Sequence, residues 1–265
     1  MKLSGELPQI AWGDMPYELL GSIFFENASG PGQESTGLVV LERQEEGECG
    51  HLWKTPIGSF WGRKADEHVL EWLIREQYFW SIYQNTSVSV KEGDVVFDLG
   101  GHLGMFTRTA LNRGAGKVVV FEPEPTNIDC FKKTFEEELA DGKVVLVEAA
   151  AWSSVTTLTF TQEKGEHQSA RARVSRSGEM EVPATTVDAT VEQLGLQRLD
   201  FIKMDIEGSE NHALRGAADV IQRFRPQMAL CIYHGPDDAE TIPRTVMEIR
   251  SDYEQMKLLQ HAYFY

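Results

Sequence analysis

The sequence predicts a doubly wound α/β fold on a mostly parallel sheet, with an N-terminal helical or irregular extension and a β-hairpin insertion. Three observations carry this. First, five short runs rich in Val, Ile and Phe follow Gly93: VVFDL (95–99), VVVF (118–121), VVLVEA (144–149), DFIKMD (200–205) and MALCIY (228–233). Runs that stay apolar instead of alternating suit strands buried on both faces, as crossover helices bury a parallel sheet. Second, helical patterns separate several of these runs. Third, the glycine-rich turn DLGGHLG (98–104) follows the first run, where a doubly wound sheet receives its ligand.

Taken in order, residues 1 to about 50 carry turn-forming and acidic clusters (NASGPGQESTG, ERQEEGECG) that read as irregular or hairpin structure. The segment ADEHVLEWLIREQYFWSIYQ (65–84) places Leu70, Leu73, Ile74, Trp80 and Tyr83 near helical spacing, which predicts one long amphipathic helix leading into the core. Residues 1–90 are therefore expected as an extension or cap, and 91–265 as the core. Met105 to Arg113 should form the helix after the glycine turn. Between the second and third strands, Ile128, Phe131, Phe135 and Leu139 recur at helical steps, with Thr126 placed to cap and Asp141-Gly142 to stop the helix. Between the fourth and fifth, Ser209-Glu210 opens a helix bearing Leu214, Val220 and Ile221, and Pro226 follows its end. LTFTQ (158–162), RARVSR and EMEVPATTVD alternate like antiparallel strands and break the rhythm, predicting an insertion on one edge.

A formal net charge of -16 repels polyphosphate backbones, so nucleic acid is not an expected partner. The chain carries no basic amphipathic helix and no apolar run of the ~18 residues a membrane helix needs, so no membrane association is expected. The first residues lack the apolar segment of a secretory leader, which predicts a cytoplasmic protein. Cys49, Cys130 and Cys231 are an odd number and show no CxxC spacing, so reduced thiols are expected instead of a disulfide framework or zinc finger. Oligomeric state is open.

The chemistry gathers at predicted strand ends. Gly100 and Gly104 allow close approach of a ligand, and the following helix offers its N-terminus to a negative group. Glu122, 22 positions after Gly100, suits a carboxylate that accepts hydrogen bonds from ribose hydroxyls. Asp98 would repel a pyrophosphate yet welcome a ligand carrying ammonium and sulfonium groups, which points to S-adenosylmethionine. A nicotinamide-dependent oxidoreductase and a non-catalytic cofactor-binding scaffold stand as alternatives.

In this order, GDVVFDLGGHLGMFTRTAL, VVVFEPEPTNIDCFKK, ATTVDATVEQLGLQRLDFIKMDIEGSE and ALCIYH resemble the FkbM family of S-adenosylmethionine-dependent methyltransferases, over roughly residues 93 to 235. FEPEP and DFIKMDIEGSE are the most specific segments. The resemblance implies a Rossmann-like class I methyltransferase fold and methyl transfer to a hydroxyl of a sugar or other small molecule. It places cofactor contacts on Asp98, Gly100, Gly104 and Glu122, with Gly101, His102, Pro123, Ala151, Trp152 and Asp205 beside them. His102 departs from the family's more usual Asn, and Trp152 stands where a smaller residue is more usual; it could stack on adenine or pack in the core. After YEQMKLLQ the chain runs out soon, so a shortened closing hairpin is expected.

Methyl transfer needs the acceptor held in line, and a base that takes the hydroxyl proton adds to the rate. Asp205 and His234, on neighbouring strand ends, are the candidate bases, with Glu207 just behind. A catalytic metal is not required. The alternative makes Asp205 and His234, with Asp237 or Asp238, ligands of a divalent cation. Lys203, in an otherwise apolar strand, needs a carboxylate partner, Asp98 or Glu207.

Overall fold

The computed structural model describes residues 41–47, 49–63, 67–162, 172–174 and 180–265. Expectations for residues 1–40 and for the polar loop of the insertion lie outside the described residues.

The described chain opens with an antiparallel meander of Glu42–Gly47 (β1), Gly50–Thr55 (β2) and Gly58–Gly62 (β3). The expected helix over 65–84 is shorter and changes character partway. Glu67–Leu73 (α1) runs directly into a π-helical segment, Ile74–Phe79, closed by a Trp80 N–H bond to the Arg75 carbonyl at 2.8 Å. Beyond it the backbone reverses at Ser81, φ 49°, and still delivers Tyr83 to the core.

The five predicted strands are all present, as Val95–Leu99 (β4), Lys117–Phe121 (β5), Val144–Val147 (β6), Phe201–Met204 (β11) and Gln227–Cys231 (β12), the last two numbered after the insertion strands given below. Two more, Gln255–Leu258 (β13) and His261–Phe264 (β14), complete a seven-stranded sheet of order β13-β14-β12-β11-β4-β5-β6. All neighbours are parallel except β12–β14 and β13–β14. The closing hairpin is thus complete, which corrects the expectation of a shortened one. The sequence HAYFY reads as a tail only while its partner strand is unknown; paired to β12, all four residues of β14 are buried.

Because side chains alternate along each strand, the sheet sorts its residues onto two faces. Val96, Val118, Val120, Phe201, Ala229 and Tyr263 share one core with Phe106, Phe131 and Phe135 and with Trp53, Phe60, Leu70, Ile74 and Tyr83 of the N-terminal elements. Phe97, Leu99, Val119, Ile202, Met204, Met228 and Leu230 face the other core. The first face carries Met105–Asn112 (α2) and Pro125–Thr134 (α3), with Glu136–Ala140 (α4) after them. The second carries Val187–Gln193 (α5), Glu210–Arg215 (α6), Ala218–Phe224 (α7) and Asp238–Ile249 (α8). Two boundaries differ from expectation. Glu124, not Thr126, caps α3 by accepting from the Asn127 N–H, because Pro125 takes the first helical position, for which its fixed φ is suited. The helix after Ser209 breaks at Gly216, whose absent Cβ would lie 2.0 Å from the Trp152 carbonyl oxygen.

The insertion is more than a hairpin. Ala150–Ala151 (β7), Thr156–Gln162 (β8), Ala172–Val174 (β9) and Met180–Thr185 (β10) form a separate sheet of order β7-β10-β8-β9, with a small core of Ala150, Phe160, Val182 and Ala184. The short strand β7 joins it in parallel with β10, a pairing that local alternation cannot announce.

Candidate active site

Strand order reverses between β4 and β11, the switch point at whose carboxyl ends a doubly wound sheet receives its ligand. Two turns border it, Leu99–Gly104 after β4 and Asp205–Ser209 after β11. Each holds a non-glycine residue in left-handed backbone, His102 at φ 49° and Glu207 at φ 56°. Such conformations are costly and gather where surrounding structure enforces them.

The glycines are needed by the protein itself. A Cβ on Gly100 would sit 1.9 Å from the Asp205 carbonyl oxygen, one on Gly101 2.2 Å from Val120 Cγ1, and one on Gly104 2.1 Å from Phe135 Cε2. The first brings the two turns together, and the third seats α2 on the aromatic pair Phe131–Phe135. Close packing, not only ligand approach, therefore accounts for Gly104.

Glu122 follows β5 and lies directly beneath the glycine turn. Its Oε2 accepts from the His102 N–H at 2.7 Å, and its Oε1 accepts from the Glu124 N–H at 3.0 Å and from Asn127 Nδ2 at 3.3 Å. Burial pushes its carboxyl up to about 7, against the pull of those N–H groups. Pro123 is half-buried beside it.

Asp98 differs from the expectation of a carboxylate open to a ligand. It is 0% exposed. Its register partner on β11 is Lys203, so the two side chains leave the sheet on the same face, with Lys203 Nζ 3.0 Å from Asp98 Oδ1. Thr107 Oγ1 donates to Asp98 Oδ2 at 2.7 Å, and Lys203 also donates to the Gly100 carbonyl at 2.6 Å. Burial opposes the Lys203 charge, and the Asp98 and Asp205 carboxylates outweigh it, so the ammonium is held above its ordinary value. Asp98 is therefore the neutralised anchor of the turn, and of the two partners considered for Lys203 it is Asp98 that pairs.

Asp205, Glu207 and His234 do come together, and they bring Glu210 and Tyr83 with them. Tyr83 Oη donates to Asp205 Oδ2 at 2.6 Å. His234 Nε2 lies 3.3 Å from Asp205 Oδ1 and 3.8 Å from Glu207 Oε2, while its Nδ1 lies 2.8 Å from Glu210 Oε1. Burial works against the imidazolium, but the Asp205 and Glu210 carboxylates overcome it and hold the ring up to about 10. Burial likewise opposes the Asp205 charge; His234, Lys203 and the Tyr83 hydroxyl prevail and hold that carboxyl well below the usual range. On the π-helical segment Glu76 feels the same cluster, its carboxyl pushed up to about 8 by burial and by Asp205.

Asp237 and Asp238 stand apart. Asp238 Oδ2 accepts from the Gly235 N–H at 2.6 Å, the ordinary work of an acidic turn. Trp152 stacks on His212, ring centroids 3.8 Å apart at 13°, and packs against the small core of the insertion beside buried Ala151. Sequence reading missed Tyr83, Glu76 and Glu210 as site residues. Glu210 ends the segment DFIKMDIEGSE, so its signal was present but read only as a helix start; Tyr83 reads as one more core aromatic.

The profile of the family described as "Methyltransferase FkbM domain" matches residues 98–262. Among curated relatives, the hexuronic acid methyltransferase AglP of Haloferax volcanii is 25% identical over 172 residues, covering 63% of this chain and 67% of that protein. The 31-O-demethyl-FK506 methyltransferase FkbM of Streptomyces tacrolimicus is 25% identical over 179 residues, covering 56% of this chain and 69% of that protein. A solved methyltransferase FkbM from Methylobacillus flagellatus superposes with a TM-score of 0.51 at 19% identity, over 71% of this chain and 46% of that one, so this chain spans less than half of that protein. The likeness supports the class I methyltransferase fold that the strand order already describes. The family match covers more than half of the chain, over the segment that holds the glycine turn, Glu122, Asp205, Glu210 and His234: this chain belongs to the FkbM methyltransferase family.

Proposed function

We propose that the chain is an S-adenosylmethionine-dependent methyltransferase acting on a hydroxyl of a sugar or other small molecule. One observation carries the reading: at the switch point, the glycine turn and Glu122 are bonded to each other on one side of an acidic cluster at the end of β11. Within that cluster Asp205, Glu207 and Glu210 surround one imidazole, and the buried Lys203 already answers Asp98. A pyrophosphate would face an excess of negative charge there, whereas a cationic, phosphate-free ligand relieves it. The preference assigned to Asp98 from sequence thus passes to Asp205 and its neighbours.

The donor set fits the cofactor. Glu122 and the amides of the glycine turn would hold its ribose and amino-acid portions, and the cofactor supplies an electrophilic methyl group on sulfur. The chain's own residues then have to place the acceptor hydroxyl and accept its hydrogen bond, which is chiefly positioning. In the ion-free chain the Asp205 and Glu210 carboxylates keep the His234 ring protonated, so it orients Asp205 instead of taking the proton. Asp205, fixed by Tyr83 and ionised across the working range, receives the hydroxyl. The relatives' names give a hexuronic acid and 31-O-demethyl-FK506 as acceptors, which supports a hydroxylated metabolite or glycan as the class. The charge of -16 weighs against nucleic acid, and among the described residues no helix is long and apolar enough to cross a membrane.

Calorimetric titration with S-adenosylhomocysteine, NAD and NADP tests the cofactor. Binding of the first alone is expected; binding of a nicotinamide cofactor alone overturns the reading in favour of an oxidoreductase. Mass spectrometry of labelled-methyl transfer into a panel of hydroxylated metabolites then tests catalysis, and cofactor binding with no transfer across the panel leaves the scaffold reading standing.

A further inference from the structure

We propose that Asp205, Glu210 and His234 bind a divalent first-row transition-metal ion, of the Mn²⁺ type, at the carboxyl ends of β11 and β12. One ligating atom from each of the three lies within 4.8 Å of the others. Each side chain has one atom tied down and one left over. Asp205 Oδ2 takes the Tyr83 hydroxyl, leaving Oδ1. Glu210 Oε1 takes the Ile206 N–H at 3.1 Å and faces His234 Nδ1 at 2.8 Å, leaving Oε2. His234 Nδ1 is engaged by that carboxylate, leaving Nε2, whose proton the ion would displace.

Glu210 Oε2 is buried without a hydrogen-bond partner on a side chain only 1% exposed, and His234 Nε2, on a side chain 3% exposed, makes no well-formed hydrogen bond and has only the Asp205 and Glu207 carboxylates near it, at 3.3 and 3.8 Å. Native proteins rarely leave such atoms unsatisfied, and an unseen ion is one of the standard reasons. Glu210 Oε1, on His234 Nδ1, fixes the ring so that Nε2 faces Asp205 Oδ1. Spacing agrees. Ligands on an ion with bonds of roughly 2.0–2.2 Å stand roughly 3 Å apart when adjacent and roughly 4 Å when opposite. Nε2 and Asp205 Oδ1 are already 3.3 Å apart.

Two carboxylates and one imidazole favour a transition ion over Ca²⁺ or Mg²⁺, which prefer oxygen alone. Three protein ligands leave positions open, and Asp205, 23% exposed at its side chain, gives a path from solvent. Only the purpose of the ion rests on the methyltransferase reading: at an open position it would lower the pKa of the acceptor hydroxyl. Glu210 takes the place that sequence spacing offered to Asp237 or Asp238.

The full chain, stripped with chelator, would be titrated with Mn²⁺ while the electron paramagnetic resonance signal of the free ion is followed. Saturation at one ion per chain is expected. Asp205→Asn and His234→Ala should each weaken binding at least tenfold, and Glu240→Gln, an exposed acid on α8, should not change it. Circular dichroism would check that each variant is folded, with Glu210→Gln replacing one that is not. No saturable uptake, or equal uptake by the wild type and the site variants, overturns the proposal. Titrating S-adenosylhomocysteine into the same samples separates the two readings: cofactor binding without Mn²⁺ uptake sinks the ion alone, and Mn²⁺ uptake without cofactor binding sinks the methyltransferase alone.

Discussion

Lys203 and Asp98 are adjacent in register on β11 and β4, both almost wholly out of solvent, so neither charge has water to fall back on. Removing one partner of a buried ion pair costs about 3–5 kcal/mol because the other charge is stranded, while replacing both with apolar residues is often neutral or stabilising. Lys203→Met should therefore lower unfolding free energy by about that amount. The double variant Lys203→Met with Asp98→Leu should recover most of it. Urea denaturation of the three chains measures this, and a double variant no better than the single would show that Asp98 is held chiefly by Thr107. The need for a partner was legible in the sequence, since a lone lysine in an apolar strand cannot stay unpaired. Which acid answers was not, because register between strands more than a hundred positions apart is fixed by the whole sheet. For the same reason Tyr83, which reaches Asp205 from an element before the sheet begins, carried no mark of its role.

At the scale of elements, β5 and the glycine turn are coupled through one carboxylate. Glu122 caps the end of the strand, receives the His102 N–H and is buried beneath it. Its carboxyl is pushed up to about 7 from an ordinary 4.5. The folded chain then retains a proton that the unfolded chain gives up, so this group makes stability fall as pH rises from 4.5 toward 7, and adds no slope above that. Glu122→Gln should be less stable at every pH, since its amide cannot accept from all three N–H groups, yet it should lose this slope. Unfolding free energies of both chains at pH 5 and pH 7.5 give the test, and parallel curves would exclude Glu122 as the titrating group. Elements with their own periodicity, the five parallel strands and α2, were legible. The π-helical segment was not, because a one-residue widening of a helix leaves the apolar spacing almost unchanged. Strands β7 and β14 were not either, since a two-residue strand and a short tail show no pattern until a partner supplies one.

For the whole molecule, described residues on both sides of residue 90 share one core. Phe60 packs edge-on against Phe135, Tyr83 against Phe106, the Trp61 N–H donates to Thr134 Oγ1 at 2.9 Å, and Asn112 Nδ2 donates to the Ile57 carbonyl at 3.0 Å. Tyr263, on β14, donates its hydroxyl to the Ile82 carbonyl, tying the last strand to the first third of the chain. Burying a large apolar side chain contributes about 1.5–3 kcal/mol, so Trp53, Phe60, Leu70, Ile74 and Tyr83 together represent about 8–15 kcal/mol. That is comparable to the entire net stability of a typical domain, about 5–15 kcal/mol. We therefore propose that the described elements of residues 41–90 do not fold independently of residues 91–265. A fragment of residues 91–265 should keep secondary structure while losing its cooperative thermal transition, and should bind a hydrophobic dye at Phe106, Phe131 and Phe135. It should also fail to bind S-adenosylhomocysteine, because Tyr83 no longer fixes Asp205. Calorimetry on the fragment decides the matter: a sharp transition with little dye binding would mean that the sheet completes its own core and that the N-terminal elements are a detachable cap.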